Sequence, residues 1–377
     1  MKILQFGKFY PPHIGGIEKV MFDLTEGLNR RGVECDVLCS NKEPKYVEEL
    51  DRGYSVIRTR SYGIYHSVSI TPQIISKLRR VQDGYDIIHI HLPDPMAAAA
   101  LYLGRPKAAL VLHWHGDVIR QKLLLPIYRP FQTWMLKRSD AVLATSPNYI
   151  EGSSALAPYI SKCHVVPIGV DISGIDVSTE RVRQIRERFK GKRIVLSIGR
   201  LTPYKGYEYL IEAARHLGDD YVILIAGSGE LEGLLSRRIR DLGLTGKVHM
   251  LGRVMHEDVG SYYEASDVFC LSSVSKNEAF GIVQVEAMLF GKPVVSTNVR
   301  GSGIVYANVD GETGLVVEPR DPRALADAIM RICGDQDLYR RLAAGGLKRA
   351  GDVFTMDNML DSTLEVYERV LAAPRID

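Results

Sequence analysis

Short apolar runs rich in Val, Ile and Leu alternate along the chain with segments whose apolar positions recur at helical spacing. In the first half KILQFG, VECDVLCS, SVIRTR, YDIIHI, ALVLHWH, AVLAT and CHVVPIG read as strands. IEKVMFDLTEGLNRRG reads as a helix with one apolar stripe and a closing glycine. After an irregular polar stretch at 172–180 the cycle restarts with RIVLSIG, YVILIAG, VHMLG, DVFCLSS, PVVST and GLVVE. Helices are predicted near 207–217, 230–242, 256–265, 282–290 and 322–333, the last with Asp321 as N-cap and Pro322 in its first turn. Strand and helix in strict alternation, twice over, predict an α/β protein of two doubly wound Rossmann-like domains. Their ligand loops, at the strand C-termini, would face each other across a cleft. The expected domains are 1–172 and 173–354, with a final helix at about 355–377 packing back on the first.

A chain of 377 residues exceeds what one core usually fills, which agrees with two domains. No apolar run approaches the roughly 18 residues a membrane span needs, and AAAALYLG at 97–104 is too short. MKILQFGKFY lacks an extended apolar export region, so a cytoplasmic location is expected. Five scattered cysteines without a C-x-x-C pair suggest neither disulfides nor a zinc site. The net charge of +3 conceals +6 over residues 1–170 and −3 over the rest. That excess is too mild for a nucleic-acid binder, but the basic half suits an anionic partner.

Chemistry concentrates at a few strand ends. SVSKNEAFGIVQVEAM sets Glu278 and Glu286 eight positions apart. On one helix they would lie roughly 12 Å apart along the axis, too far to share a reacting atom. A glycosidase pair, about 5 to 10 Å apart across one bond, is not the natural reading. DVFCLSS as strand, SVSKNEAF as loop and GIVQVEAMLF as helix place Glu278 on the loop and Glu286 in the helix. The free N–H groups near Phe280, Gly281, Ile282 and Val283 then form an anion seat between the two carboxylates. That layout fits hexose, diphosphate and ribose in series.

GRLTPYKG brings Arg200 and Lys205 to the loop after a strand, where a fork and a point charge suit a diphosphate. Two solvated surface cations would be the plain alternative. In FGKFYPPHIGGIEKV, Gly15 and Gly16 permit close approach to a ligand at a helix start, although a turn there would need glycine anyway. G-x-G-x-x-G is absent after the first strand, which argues against an NAD-linked oxidoreductase. HWHGD puts His113 and His115 on one strand face, with His115 nearest the end. As a metal site the pair lacks a third ligand at usual spacing; a structural hydrogen-bonded histidine is an equal alternative. The only D-x-D, Asp335 and Asp337, sits at a helix start, where capping accounts for it.

Taken together, the E-x7-E of Glu278 and Glu286, the R-x4-K of Arg200 and Lys205, the GG pair and the strand-end HGD resemble retaining glycosyltransferases of family four, with the GT-B fold. Within it the chain looks like the bacterial mannosyl- or rhamnosyl-type transferases of O-antigen or capsule synthesis. The resemblance implies ribose at Glu286, the transferred sugar at Glu278, and diphosphate at Arg200 and Lys205. It further implies His115 beside the reacting centre, Gly15 and Gly16 on the opposite wall, and the base near Arg253 and Val254. No metal or other cofactor is implied; the co-substrate is a nucleotide sugar, with GDP-mannose favoured over a UDP-sugar. A saccharide or polyprenyl-diphosphate-linked oligosaccharide is the implied acceptor. The mixed basic and apolar stretch at 119–139, with Arg120, Lys122 and Arg129 among Leu123, Leu124 and Trp134, suits peripheral contact with an anionic membrane. A non-catalytic nucleotide-sugar binding protein is the alternative from another class.

Overall fold

A computed structural model describes residues 1–13, 15–65, 68–117 and 125–373. The chain forms two compact units, one of Met1–Gly169 with Met356–Asp377, the other of Val170–Thr355. The first boundary therefore falls at 169/170, and the C-terminal helix Met356–Ala372 belongs to the first unit. It is tied there by Arg31, whose guanidinium reaches Asp357 at 2.7 Å and also Asp361.

In the first unit the strands are β1 (Lys2–Phe6), β2 (Glu34–Ser40), β3 (Val47–Asp51), β4 (Tyr54–Thr59), a small β5 (Ile64–Tyr65) and β6 (Val68–Ser69) pair, β7 (Ile87–Leu92), β8 (Ala109–Trp114), β9 (Ala141–Ala144) and β10 (Cys163–Val165). The main sheet runs β10-β9-β8-β7-β1-β2-β4-β3. All its pairings are parallel except β3 on β4. β7 and β8 are buried at every position, so they read as continuous rather than alternating runs; both faces are covered.

The second unit holds β11 (Arg193–Ile198), β12 (Tyr221–Ala226), β13 (Val248–Gly252), β14 (Val268–Leu271), β15 (Val294–Thr297) and β16 (Gly314–Val317). Their order is β13-β12-β11-β14-β15-β16, and every pairing is parallel. Ile223, Ile225, Val195 and Val295 pack with Leu325, Ile329 and Ile332 of the Pro322–Gly334 helix into one core. Each such side chain contributes about 1.5–3 kcal/mol of burial. Asp321 caps that helix by accepting from the Ala324 N–H at 2.9 Å, with Pro322 behind it. Asp335 likewise accepts from the N–H groups of Asp337 and Leu338, so the D-x-D does cap a helix.

Several elements left no periodic signal. β3 is an antiparallel edge strand whose residues are mostly exposed and charged. The stretch expected to be irregular near 172–180 ends in a helix, Thr179–Arg188, because Ser178 caps it by accepting from the Arg181 N–H. The 18-residue helix Gln336–Val353 was also missed; its small residues, Gly345 and Gly346 included, blur the apolar stripe. No helix among the described residues is long and apolar enough to cross a membrane. Residues 119–124 of the basic-apolar stretch lie outside the described residues.

Candidate active site

Each sheet has a point where strand order reverses, between β11 and β14 in the second unit and between β1 and β7 in the first. Crevices outside the strand C-termini at such points are where doubly wound sheets bind ligands. The loop after β11 carries Arg200 and Lys205; the loop after β14 carries Glu278. Lys205 and Glu278, far apart in sequence, thus meet at one place.

Those two loops are joined by their backbones. The Val274 N–H donates to the Tyr204 carbonyl at 2.8 Å, and the Ser272 hydroxyl donates to the Lys205 carbonyl at 3.0 Å. Gly206 turns between them in the left-handed region at φ 65°. Any Cβ there would stand 2.2 Å from the Ser272 carbonyl oxygen, so only glycine lets the loops approach this closely.

The result is an ion pair between Lys205 Nζ and Glu278 Oε2 at 2.5 Å, with both side chains about nine-tenths buried. The Ser273 hydroxyl donates to the same carboxylate oxygen at 3.0 Å. Burial pulls the Lys205 ammonium toward deprotonation, but Glu278, Tyr207 and Tyr204 more than offset it, so its pKa is raised. Lys205 is therefore a firmly held cation. Arg200, by contrast, is exposed and makes no ion pair with any described residue.

Beyond Glu278 the chain turns at Gly281, φ 78°, into the helix Ile282–Leu289. No side chain caps its first turn, where Ile282 and Val283 are partly buried and Phe280 and Gly281 buried. A run of uncapped N–H groups beside a lysine is a seat for an anion. Glu286, partly buried on the same helix, accepts from the Tyr263 hydroxyl at 2.7 Å. Tyr263 is buried, stacks on Phe290, and is held protonated by burial and by the Glu286 charge. Sequence reasoning missed Tyr263, since a tyrosine on another helix leaves no spacing clue. Arg253, exposed, and Val254, partly buried, follow β13, two strands from β11 in the same sheet.

In the first unit Gly15 is the N-cap of the helix Gly16–Arg30, both glycines are exposed, and no side chain caps that start either. Asp117 of the HGD is anchored through its carboxylate, which accepts from Trp114 Nε1 at 3.0 Å and the Ser153 hydroxyl at 2.8 Å, and through its own N–H, which donates to the Tyr149 oxygen at 2.6 Å. His115 is buried at the end of β8, and its Nε2 lies 2.9 Å from His91 Nδ1 on β7.

A three-histidine cluster does form, but with only one member of the HWH pair: His89 and His91 of β7 and His113 of β8 have ring nitrogens within 4.8 Å of one another. Their lone pairs do not converge, however. His89 Nε2 faces His113 Nδ1 at 3.2 Å in one layer, while His91 faces His115 and Gln5 in the next. A bound metal needs three such nitrogens aimed at a single point about 2.0–2.1 Å away.

Two Rossmann-like units, with a lysine, an arginine and an uncapped helix start at the switch point of one of them, define a two-domain α/β protein with a candidate anion site. Residues 178–349 match the family model described as glycosyl transferases group 1, and residues 14–173 match glycosyltransferase family 4. The chain is 34% identical to D-rhamnosyltransferase WbpZ of Pseudomonas aeruginosa, over 87% of this chain and 86% of that protein. It is 29% identical to O-antigen chain mannosyltransferase C of Escherichia coli, over 98% and 99%. HepE of Anabaena, solved in complex with UDP, superposes with a TM-score of 0.75 at 21% identity, over 98% of this chain and all of that one. The chain belongs to the family-four glycosyltransferases and has their GT-B fold.

Proposed function

We propose that this glycosyltransferase moves a hexose, mannose first among candidates, from a nucleoside diphosphate sugar to a saccharide or lipid-linked oligosaccharide acceptor of surface polysaccharide, with retention of configuration. The observation that carries the donor reading is the Lys205–Glu278 pair beside the uncapped Ile282–Leu289 helix. The names of the rhamnosyl- and mannosyltransferase relatives support the sugar and the product class.

In this reading the diphosphate sits against the helix N–H groups, Lys205 and Arg200, and Glu286 takes the ribose hydroxyls. As the bond from anomeric carbon to phosphate breaks, negative charge grows on the leaving diphosphate. Prepositioned cations then stabilise the transition state more than the ground state. Glu278, held by Lys205 and Ser273, keeps an oxygen for a hydroxyl of the transferred sugar. The departing phosphate oxygen takes the acceptor proton, so neither a metal nor a protein nucleophile is needed.

The acceptor reading rests on the first unit. A groove of about 710 Å³ there is lined by Tyr102, Arg129, Trp134 and Lys137, with Pro126 and Pro130. Two cations over aromatic walls suit an anionic, partly apolar acceptor and peripheral attachment to an anionic membrane surface. The test is a panel of nucleotide sugars read by hydrolysis and thermal shift, followed by transfer to lipid-linked oligosaccharide. GDP-mannose should give the largest response. A response confined to UDP-sugars would move the donor assignment, and binding without turnover on any acceptor would favour a non-catalytic sugar-nucleotide receptor.

A further inference from the structure

Four histidines, a glutamine and a tyrosine form one continuous buried chain of hydrogen bonds inside the first unit. Strand pairing explains how: Gln5 of β1 lies opposite His89 of β7, and His91 of β7 opposite His113 of β8. The two-residue period adds His115 to the same face. Tyr367, from the C-terminal helix, closes the array from above the sheet. All six are nine-tenths or more buried.

The rings form two layers. In one, His89 and His113 meet edge to edge at 3.2 Å; in the other, His91 and His115 do so at 2.9 Å. The His113 and His115 rings stack between layers with centroids 4.1 Å apart. Gln5 connects the layers: its Oε1 lies 2.8 Å from His91 Nε2, and its Nε2 donates to the Tyr367 hydroxyl at 3.4 Å. The Tyr367 oxygen in turn meets His89 Nδ1.

From this geometry we infer that Gln5, acting through His91, is the positioning residue that fixes His115 in its Nε2–H tautomer, leaving the Nδ1 lone pair as the acceptor His115 offers to a substrate hydroxyl. Each ring nitrogen and each amide atom in the array can play only one role. An amide oxygen only accepts, so His91 must carry its proton on Nε2 and present a bare Nδ1. That bare nitrogen accepts only if His115 donates from Nε2. A neutral imidazole with one N–H has then no proton left for Nδ1. Burial, and after it the neighbouring imidazoles, hold His91 and His115 far below their ordinary pKa, so neither gains a second proton near neutral pH. On the other arm, the same polarity runs from the Gln5 amide through Tyr367 and His89 and ends at His113 Nε2, which has no partner among the described residues. An acceptor at His115 selects a ligand that donates there, which is a sugar hydroxyl rather than a phosphate oxygen or a carbonyl. This assignment of the ligand rests on the donor reading above; the tautomer itself does not.

Histidine-selective 15N labelling of the full-length protein, with long-range 1H–15N correlation spectra near neutral pH, reads each tautomer directly. Resonances are assigned with His115→Gln and His91→Gln variants. In the unsubstituted protein His115 and His91 should both appear as neutral Nε2–H forms. An Nδ1–H or imidazolium His115 would overturn the inference, as would a stoichiometric metal ion in the purified protein. Gln5→Met removes the amide while keeping length, and should allow the Nδ1–H form of His115 to appear. Tyr367→Phe keeps the Gln5–His91 link and should leave His115 unchanged. Gln5→Met should also lower kcat roughly tenfold, the scale of one lost hydrogen bond, while nucleotide affinity, set in the other unit, stays as it was. An unchanged His115 tautomer in folded Gln5→Met protein would sink the idea. Failure to bind any nucleotide sugar would sink the donor reading and leave the tautomer result standing.

Discussion

Lys205 Nζ and Glu278 Oε2 stand 2.5 Å apart in a site that admits little water. Each is the other's counterion before any ligand arrives. Lys205→Met should therefore strand a buried carboxylate, lowering stability by about 3–5 kcal/mol and kcat by about 10²- to 10³-fold. Glu278→Gln should cost transfer far more than nucleotide binding. Chemical denaturation together with steady-state kinetics checks both, and a Lys205→Met protein as stable as its parent would contradict the pairing.

Arg200 presents the opposite case. It is exposed, so Arg200→Ala should change stability by no more than about 0.5 kcal/mol yet reduce kcat by about 10²- to 10³-fold. Measured melting temperature and rate should diverge for this variant alone among the cationic substitutions at the site.

Tyr263 orients Glu286 by a 2.7 Å hydrogen bond. Tyr263→Phe should weaken nucleotide binding by roughly tenfold without altering which base is preferred. Calorimetric titration with nucleoside diphosphates would show it; unaltered affinity would remove Glu286 from the ribose site.

Burial is the first cause that lowers the pKa of His89, His91, His113 and His115, taking His113 to about 3. The unfolded chain takes up protons at these groups below about pH 6.5, whereas the folded chain does not. Stability contributed by their neutral burial is thus full above that pH and lost as pH falls toward the folded value, about 3 for His113. Each histidine contributes up to about 1.4 kcal/mol per pH unit. Thermal unfolding from pH 7.5 to 5 should show a falling melting temperature, and His113→Leu should flatten the decline.

With fixed cations at the diphosphate, EDTA should leave the transfer rate within about twofold of its starting value. A rate abolished by chelation and restored by Mn²⁺ would refute the metal-free reading.

Much of this was legible in the sequence because buried parallel strands write themselves as unbroken apolar runs. YVILIAG and DVFCLSS became β12 and β14 with little change of boundary. Arg200, Lys205 and Glu278 could be singled out for a related reason: they sit where such runs stop. What stayed hidden were relationships across strands. Nothing in HWHGD announces that His115 answers to His91, or that Gln5 and Tyr367, 362 positions apart, share a hydrogen bond. Lys205 and Glu278 were each singled out, but their pairing depends on strand order, which periodicity does not encode. β3 escaped because an exposed edge strand need not be apolar.

Tyr367 reaches the sheet from the helix Met356–Ala372, which lies after the whole second unit in the chain. On the ribosome, residues 1–169 emerge early but must wait with Gln5 and His89 uncovered until residue 367 arrives. The second unit, contiguous from 170 to 355, faces no such delay. Assembly therefore finishes in the opposite order to synthesis, and a released chain ending at residue 355 should carry a completed second unit and an unfinished first one.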